Sequence, residues 1–181
     1  MRILDVGCAS GTFGARIKER DNWVGGIELS RIAVGEAKER LDVVWSFDIE
    51  NEWPSELQNK DMDLVIASEV LEHVFDPVAV LRSVHAALKP GGAVIVTTPN
   101  FMTWTNRLKF LFGRFRYEEQ GMFDFGHIRW FTHAYLKEVL AETGFRVTHE
   151  RHIIFPGKLT RILRRWPPLF AWQFIVKATK K

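Results

Sequence analysis

Short apolar segments alternate with longer segments of helical periodicity along most of the chain. Seven apolar segments predict strands: Arg2–Asp5, Trp23–Glu28, Val43–Phe47, Met62–Ala67, Ala93–Thr98, Arg146–His152 and Phe174–Ala178. Four segments with apolar residues at helical spacing predict helices: Thr12–Arg20, Arg31–Leu41, Pro77–Leu88 and His133–Thr143. This alternation favours an α/β fold, a doubly wound parallel sheet with helices on both faces.

The segment 101–117 departs from that alternation. As a helix it would place six apolar side chains on one face, flanked by arginines and lysines: Phe101, Trp104, Leu108, Leu111, Phe112 and Phe115. A basic amphipathic helix of this kind suits a membrane interface or an apolar pocket. Two interpretations stay open, a lid that packs on the core and peripheral contact with a membrane. We treat residues 101–131 as an insertion, or lid, within a single domain that spans residues 1–181.

The net charge of +3 hides an asymmetry between the two parts of the chain. Residues 1–100 contain 10 Lys and Arg against 16 Asp and Glu, whereas residues 101–181 contain 15 against 6. Of the 23 aromatic residues, 17 lie after residue 100. We therefore expect a cofactor-binding part, followed by a part suited to an apolar or anionic small molecule.

The single cysteine, Cys8, excludes an intrachain disulfide and a multi-cysteine metal site, which favours a reducing, cytoplasmic location. We interpret Cys8 as a small apolar filler, with a reactive thiol as the alternative. No apolar run reaches the roughly 18 residues of a membrane span. We expect no signal peptide, because the first predicted strand starts at Arg2.

The most informative segment is Asp5-Val6-Gly7-Cys8-Ala9-Ser10-Gly11, an acid at the end of the first strand followed by small residues. Such a turn lets a ligand approach the backbone, and the helix after it offers unpaired N–H groups. The dinucleotide-binding pattern G-x-G-x-x-G fits poorly, because its third glycine falls on Thr12. A carboxylate two residues before the first glycine would repel a pyrophosphate but attract the ammonium of an amino-acid-like ligand. The turn therefore disfavours NAD.

Further acids follow the next strands. Glu28 ends the second strand, where a carboxylate can accept both ribose hydroxyls of an adenosine, unless it caps the next helix. Asp48 can accept from an adenine amino group while the N–H of Ile49 donates to a ring nitrogen; the alternative is a solvated loop acid. After the fourth strand, the segment 68–74 adds acids and a histidine at the same edge.

These segments together resemble the class I S-adenosylmethionine (SAM) methyltransferases. The spacing D-x-G-x-A-x-G looks like motif I of that class, and further segments follow in its order: Glu28, Asp48, Ser68–Val74 and Leu88–Gly92. The string Glu-Val-Leu-Glu-His-Val, with Thr98–Phe101 and His127–Thr132, is similar to the branch that includes ubiquinone-biosynthesis O-methyltransferases. The run 99–114 also resembles the MetW-like proteins.

The resemblance implies a Rossmann-like sheet of seven strands whose last strand is antiparallel and lies between the fifth and sixth. It also implies SAM as cofactor and S-adenosylhomocysteine as product. The residues implied to contact the cofactor are Asp5, Gly7, Cys8, Ala9, Gly11, Glu28, Leu29, Asp48, Ile49, Ser68 and Glu69. Ala9 stands where the class has a glycine, which adds a methyl group where the cofactor passes closely. The helix that usually precedes the first strand is missing, either because the protein is naturally short or because the sequence was trimmed, and we expect part of the cofactor cover to be absent with it.

Methyl transfer from a sulfonium is an in-line displacement, so positioning can supply much of the catalysis. A hydroxyl acceptor gains from a general base, for which His73 and His127 are the candidates; alternatively, each only holds its loop. Arg129 is a candidate for a substrate carboxylate or phosphate, or for an internal salt bridge. No pair of histidines shows ligand spacing with a supporting acid, so no metal site is predicted.

The favoured function is therefore a SAM-dependent methyltransferase (EC 2.1.1.-) that acts on a small molecule, with a hydroxyl oxygen as the preferred acceptor. The alternative is a SAM-binding, non-catalytic accessory protein like the MetW-like proteins. We expect no nucleic-acid partner, because the chain lacks the Asn/Asp-Pro-Pro-Tyr motif of amino-group DNA methyltransferases. A monomer and a homodimer both remain open.

Overall fold

A computed structural model describes residues 1–58, 61–154, 160–163 and 165–181. Its strands are β1 (Arg2–Val6), β2 (Trp23–Ile27), β3 (Val43–Trp45), β4 (Met62–Ser68), β5 (Leu88–Pro99), β6 (Phe145–Glu150), β7 (Ile153–Ile154) and β8 (Ala171–Lys180). The helices are α1 (Thr12–Lys18), α2 (Arg31–Lys38), α3 (Pro77–Ala87), α4 (Trp104–Leu111), α5 (His133–Glu142), α6 (Thr160–Leu163) and α7 (Pro167–Phe170). Two 3₁₀ turns cover Ser55–Gln58 and Leu71–His73.

The strands form one sheet in the order β3-β2-β1-β4-β5-β8-β6, and β7 also pairs with β8. The first five strands are parallel, whereas β8 is antiparallel to both β5 and β6. The expected α/β sheet, with its last strand inserted between the fifth and sixth, is confirmed. Its strand order reverses beside β1, so the carboxyl ends of β1 and β4 form the crevice where ligands bind in such sheets.

Successive residues of β1 point to opposite faces of the sheet and enter two different cores. Leu4 belongs to the larger core, which α3 and α5 cover, and Ile3 belongs to the smaller one, which α1 and α2 cover. Both side chains are buried, and each such burial stabilises the fold by about 2 kcal/mol. Helices therefore pack on both faces of the sheet. This packing fixes the edge formed by the carboxyl ends of the parallel strands, where a binding site is expected.

Polar caps determine where four of the helices begin. At each of them the side-chain oxygen of the preceding residue accepts a hydrogen bond from an N–H in the first turn, as is usual for Ser, Thr and Asp. The capping residues of α2, α3, α4 and α5 are Ser30, Asp76, Thr103 and Thr132. All four helices start at the same edge of the sheet as the predicted site.

The insertion differs from the continuous helix predicted over 101–117. Helix α4 covers only Trp104–Leu111, because Gly113 has a φ of 65° and turns the chain out of the helix. The N–H of Gly113 donates to the carbonyl of Phe110 (2.9 Å) and that of Arg114 to Lys109 (2.8 Å), which closes the last turn. Phe101, placed on the helical face by the prediction, instead packs inward.

Candidate active site

The turn after β1 has the conformation that its small residues predict. Gly7, Ala9 and Gly11 have φ values of 71°, 45° and 76°, in the left-handed region that glycine tolerates best. A Cβ atom added to Gly7 would lie 2.8 Å from Cγ2 of Val70, so this position has no room for a side chain. The N–H of Gly7 donates to the carbonyl of Ile27 (2.9 Å), which ties the turn to β2.

Asp5 is the penultimate residue of β1 and is buried, with 3% of its surface exposed. Burial raises the pKa of its carboxyl to about 7. A cationic group beside it would restore the charged form, as expected for a partner of an ammonium. Asp5 lines a hollow of about 390 Å³ together with the turn residues and Ser68.

Cys8 lies in the same turn and is buried. Burial and the nearby charges of Asp5 and Glu28 raise the pKa of its thiol to about 12, so the thiol is protonated at neutral pH. A Cβ atom on Gly26 would lie 2.5 Å from the Cys8 sulfur, which shows how closely this side chain fills the space against β2. The geometry supports the filler interpretation and disfavours the reactive thiol.

Glu28 connects the turn to the next helix. One carboxylate oxygen accepts a hydrogen bond from the N–H of Ala9 (3.0 Å), and the other accepts from the N–H of Ser30 (2.8 Å). The cap of α2 is Ser30, so Glu28 does not act as the helix cap. Because a carboxylate can accept about four hydrogen bonds, Glu28 still has capacity for ribose hydroxyls.

A cavity of about 400 Å³ opens beside Glu28. The residues that line it include seven of the predicted site residues, together with apolar groups and Glu50: Gly7, Ile27, Glu28, Leu29, Phe47, Asp48, Ile49, Glu50, Glu69, Val70, His73 and Val74. Asp48 accepts from the N–H of Glu50 (3.0 Å) through one side-chain oxygen. The structure thus brings the predicted ribose, adenine and histidine positions to one cavity.

Glu69 is held by side chains of β5 and β8, the next two strands after β4 in the sheet order. One of its carboxylate oxygens accepts from the hydroxyl of Thr97 (2.8 Å) and from the side-chain amide of Gln173 (2.7 Å). The Thr97 hydroxyl also lies 2.9 Å from that of Ser68. Glu69 has a φ of 54°, a strained conformation for a residue with a side chain and one that occurs often at functional sites.

His73 and His127 lie together, with ring centroids 4.7 Å apart. Nδ1 of His73 donates to the carbonyl of Gly126 (2.8 Å), and Nδ1 of His127 donates to that of Met122 (3.1 Å). Since a carbonyl only accepts, each Nδ1 carries a proton, and in the neutral form of either ring the lone pair is on Nε2. A general base and a metal ligand both need such a lone pair.

Glu72 is a buried acid beside these two histidines, with 1% of its surface exposed. Neither of its carboxylate oxygens has a hydrogen-bond partner among the described residues. Burial and the charge of Glu69 raise the pKa of Glu72 to about 8. One potential ligand atom from each of Glu72, His73 and His127 lies within 4.8 Å of the other two, so the three could hold a divalent cation.

The sequence did not indicate this group, because 54 positions separate His73 from His127. The chain returns to the site where the N–H groups of Ile128 and Arg129 donate to the carbonyl of Glu72 (2.9 and 3.0 Å). The Arg129 guanidinium donates to the carbonyl of Phe75 (2.6 and 3.0 Å). Arg129 therefore supports the loop after His73, and it forms no salt bridge with any residue that the structure describes.

Glu50 was also missed. Its carboxylate accepts from the N–H groups of Phe75 (2.8 Å) and Asp76 (3.0 Å), so it fixes the start of α3 against the loop after β3. Its place two residues after Asp48 was the available signal. An acid so close to a predicted adenine contact would be expected to face the same crevice.

A second group of His133, Glu150 and His152 lies at the end of β6 and also brings ligand atoms within 4.8 Å of one another. Although burial alone would raise it, hydrogen bonds from Lys137 and His133 lower the pKa of Glu150 to about 2. The Lys137 ammonium lies 2.7 Å from Glu150 and already compensates its charge. We therefore assign this group to an ion-pair network that joins α5 to β6.

Four features define the class I SAM-dependent methyltransferase type of protein. They are an acid near the end of β1, a glycine-rich turn, an acid at the end of β2 and a cavity where the strand order reverses. A family model described as a methyltransferase domain matches residues 1–150. The chain belongs to this family, and the resemblance found in the sequence is confirmed. S-adenosylmethionine is the cofactor that the family and its solved structures imply, as expected.

A ubiquinone biosynthesis O-methyltransferase from Aeromonas salmonicida is 32% identical over 104 residues, which cover 55% of this chain and 43% of the relative. The chain thus matches less than half the length of such curated relatives. A SAM-dependent methyltransferase from Thermotoga maritima, described as a possible histamine N-methyltransferase, has a TM-score of 0.72 at 20% identity, covering 99% of this chain and 82% of that one. A SAM-dependent methyltransferase from Methanosarcina mazei gives 0.71 at 19%, covering 99% and 92%. These structures show the fold.

Proposed function

We propose that this protein transfers the methyl group of SAM to a hydroxyl oxygen of a small, apolar or anionic acceptor. The observation that carries the proposal is the joining of the cofactor cavity to the histidine pair: His73 lines the cavity that Glu28 and Asp48 also line. SAM held by those acids would occupy the cavity that His73 also lines. The identity to ubiquinone biosynthesis O-methyltransferases supports oxygen as the acceptor atom.

The geometry of the turn supports the cofactor contacts that we propose. Asp5 is the proposed partner of the ammonium, because a buried carboxyl with a raised pKa gains from a neighbouring cation. Glu28 is the proposed acceptor of hydrogen bonds from the ribose hydroxyls. Asp48 is the proposed acceptor from the adenine amino group, and the Ile49 N–H is the proposed donor to an adenine ring nitrogen. Gly7, Cys8, Ala9, Gly11, Leu29, Ser68 and Glu69 complete the proposed set.

For the acceptor, the proposed bases are His73 and His127. In the simpler mechanism the Nε2 lone pair of one histidine removes the hydroxyl proton while the chain holds oxygen, carbon and sulfur in line. The unpartnered carboxylate of Glu72 favours a second mechanism. A divalent cation held by Glu72, His73 and His127 would lower the pKa of the acceptor hydroxyl.

The non-catalytic accessory protein remains the second candidate function. The sequence resemblance to MetW-like proteins favours it, and intact cofactor contacts fit it as well as they fit an enzyme. Turnover separates the two candidates, whereas binding does not.

Calorimetric titration with SAM, with NAD as the control, tests the cofactor half. We expect micromolar binding of SAM, no NAD signal, and loss of most SAM affinity in Glu28→Ala, since the carboxylate both accepts from the ribose and holds Ala9. His127→Ala is the matched control and should keep its affinity. Equal affinity of wild type and Glu28→Ala would overturn the ribose assignment.

Formation of S-adenosylhomocysteine with a catechol carboxylate as probe acceptor tests the acceptor half. A base mechanism predicts activity in EDTA and a loss of at least tenfold in His127→Ala. A cation mechanism predicts that EDTA abolishes turnover and that Mg²⁺, Mn²⁺ or Zn²⁺ restores it, but not in Glu72→Gln. SAM binding without turnover across an acceptor panel would favour the accessory protein.

A further inference from the structure

The insertion exposes a set of large apolar side chains beside the site. On α4, Trp104, Leu108 and Leu111 are 51%, 47% and 77% exposed and recur at helical spacing, and Phe112 after them is 69% exposed. Phe115, Tyr117 and Phe125 extend the set beyond the helix. We call these seven residues the apolar face. Contiguous exposed apolar residues on this scale mark an interaction surface.

The inward side of the insertion is packed, so the exposure is not a sign of a loose segment. Phe101 stacks on Trp130 with ring centroids 5.2 Å apart and contacts Phe110 and Phe123 edge-on or tilted. Asn106 is buried and donates to the carbonyl of Phe101 (3.0 Å). An aromatic cluster on the inward side of the insertion therefore supports the apolar face.

The charge around the apolar face is mixed: Glu118, Glu119 and Asp124 flank Tyr117 and Phe125, whereas basic residues flank α4. Residues 101–117 include four basic and no acidic residues. Lys109, Arg114 and Arg116 are exposed, and none of the three forms an ion pair within the described part of the chain. Long basic side chains at the border of an apolar surface can reach the headgroups of a bilayer while their stems stay apolar.

A second basic and apolar segment adjoins α4. Arg107 donates through Nη2 to the carbonyl of Pro168 (3.4 Å), which joins α4 to α7. Ile162 and Trp166, just before α7, are 54% and 56% exposed, and residues 160–171 contain basic but no acidic residues. The surface thus continues from the insertion to the segment before β8.

We propose that the apolar face binds the surface of an anionic phospholipid bilayer, with its apolar side chains in the interface and its basic residues on the headgroups. The surface has an excess of basic residues, with seven in 107–116 and 160–171 against the acidic Glu118, Glu119 and Asp124. This excess favours an anionic bilayer over a second copy of this chain, whose equivalent face carries the same net charge. None of the helices in the described ranges is long and apolar enough to cross a membrane, which fits binding at the surface.

The apolar face lies next to the candidate active site. Phe125 is 73% exposed and directly precedes Gly126, whose carbonyl accepts from His73. Tyr117 stacks on Phe125 with centroids 5.5 Å apart. A bilayer on this face would lie next to the acceptor end of the cavity, where an apolar acceptor could enter from the lipid phase.

Co-sedimentation with vesicles tests the proposal and does not depend on SAM or on turnover. We expect the protein to bind phosphatidylcholine vesicles that contain phosphatidylglycerol, and added salt should weaken that binding. Its affinity for pure phosphatidylcholine vesicles should be at least tenfold lower. The double variant Leu111→Asp/Phe112→Asp should lose binding. The matched control is Ile32→Asp, which changes a side chain that is 82% exposed on α2, and it should bind like wild type.

A charge variant separates lipid binding from apolar stickiness. Arg114→Glu/Arg116→Glu should lose at least tenfold in affinity for the anionic vesicles, whereas the exposed Arg82→Glu control on α3 should lose much less. No sedimentation with either vesicle would overturn the proposal, as would binding that survives both double variants. A dimer in analytical ultracentrifugation that Leu111→Asp/Phe112→Asp abolishes, without vesicle binding, would assign the surface to a second copy.

Discussion

Replacement of Asp5 by asparagine should stabilise the ligand-free protein increasingly as the pH rises. Asp5 is 3% exposed, and burial raises the pKa of its carboxyl from 3.8 to about 7. Between these two values the folded protein keeps a proton that the unfolded chain has released. The free energy of unfolding therefore falls as the pH rises through this window, and is constant above it.

The magnitude follows from the shift. Each pKa unit corresponds to about 1.4 kcal/mol, so the whole shift is worth about 4 kcal/mol and the part between pH 5 and pH 8 about 3 kcal/mol. Asparagine has the same shape and no titration. The difference in unfolding free energy between Asp5→Asn and wild type should thus increase by about 3 kcal/mol in favour of the variant from pH 5 to pH 8.

Urea denaturation of both proteins at pH 5, 6, 7 and 8 measures this difference. Other titrating groups, Glu72 among them, are shared by both proteins and cancel in the comparison. The same variant should bind SAM weakly, because the neutral amide cannot compensate an ammonium. If the difference in unfolding free energy between Asp5→Asn and wild type did not change with pH, the conclusion that burial raises the pKa of Asp5 would be refuted.

Three further changes probe the frame of the site. Gly7→Ala should destabilise the fold by about 1–3 kcal/mol in thermal or urea unfolding, because φ is 71° and the new Cβ would lie 2.8 Å from Val70. Part of this loss should persist when Val70→Ala is added, because that change removes the contact but not the backbone strain. Asn100→Ala should cost about 1–3 kcal/mol, since the fully buried amide donates to the carbonyl of Ala171 at 2.8 Å; no loss would show that this carbonyl finds another donor. Cys8 should resist iodoacetamide at pH 8 and react only after denaturation, and rapid labelling of the folded protein would contradict its burial.

The parallel part of the fold could be predicted because its signals are local. The turn residues 7–11 and the caps Ser30 and Asp76 lie within a few positions of the elements that they delimit. The position of the antiparallel last strand came from the family resemblance. Nothing in the local pattern of residues 171–180 states which strands they pair with.

The insertion shows where periodicity misleads. Apolar residues continue at helical spacing through Phe115, but Gly113 ends α4 and the later aromatics fold back on Phe101 and Trp130. The glycine was visible in the sequence. Whether Gly113 ends α4 depends on whether packing of the later residues is more favourable than a further helical turn. The aromatic cluster formed within residues 101–130 makes that packing more favourable.

The two ends of the site were predictable to different degrees for a physical reason. The proposed cofactor contacts lie at the carboxyl ends of β1 to β4, which a parallel sheet brings together whatever the rest of the chain does. The acceptor end depends on one return of the chain, in which the backbone of Glu72 accepts from residues 128 and 129 and His73 donates to Gly126. That same return presents Phe125 to the outside. A sequence change in residues 121–130 would therefore alter the histidine pair and the apolar face together, so the proposed acceptor chemistry and the proposed membrane surface are coupled through a single segment.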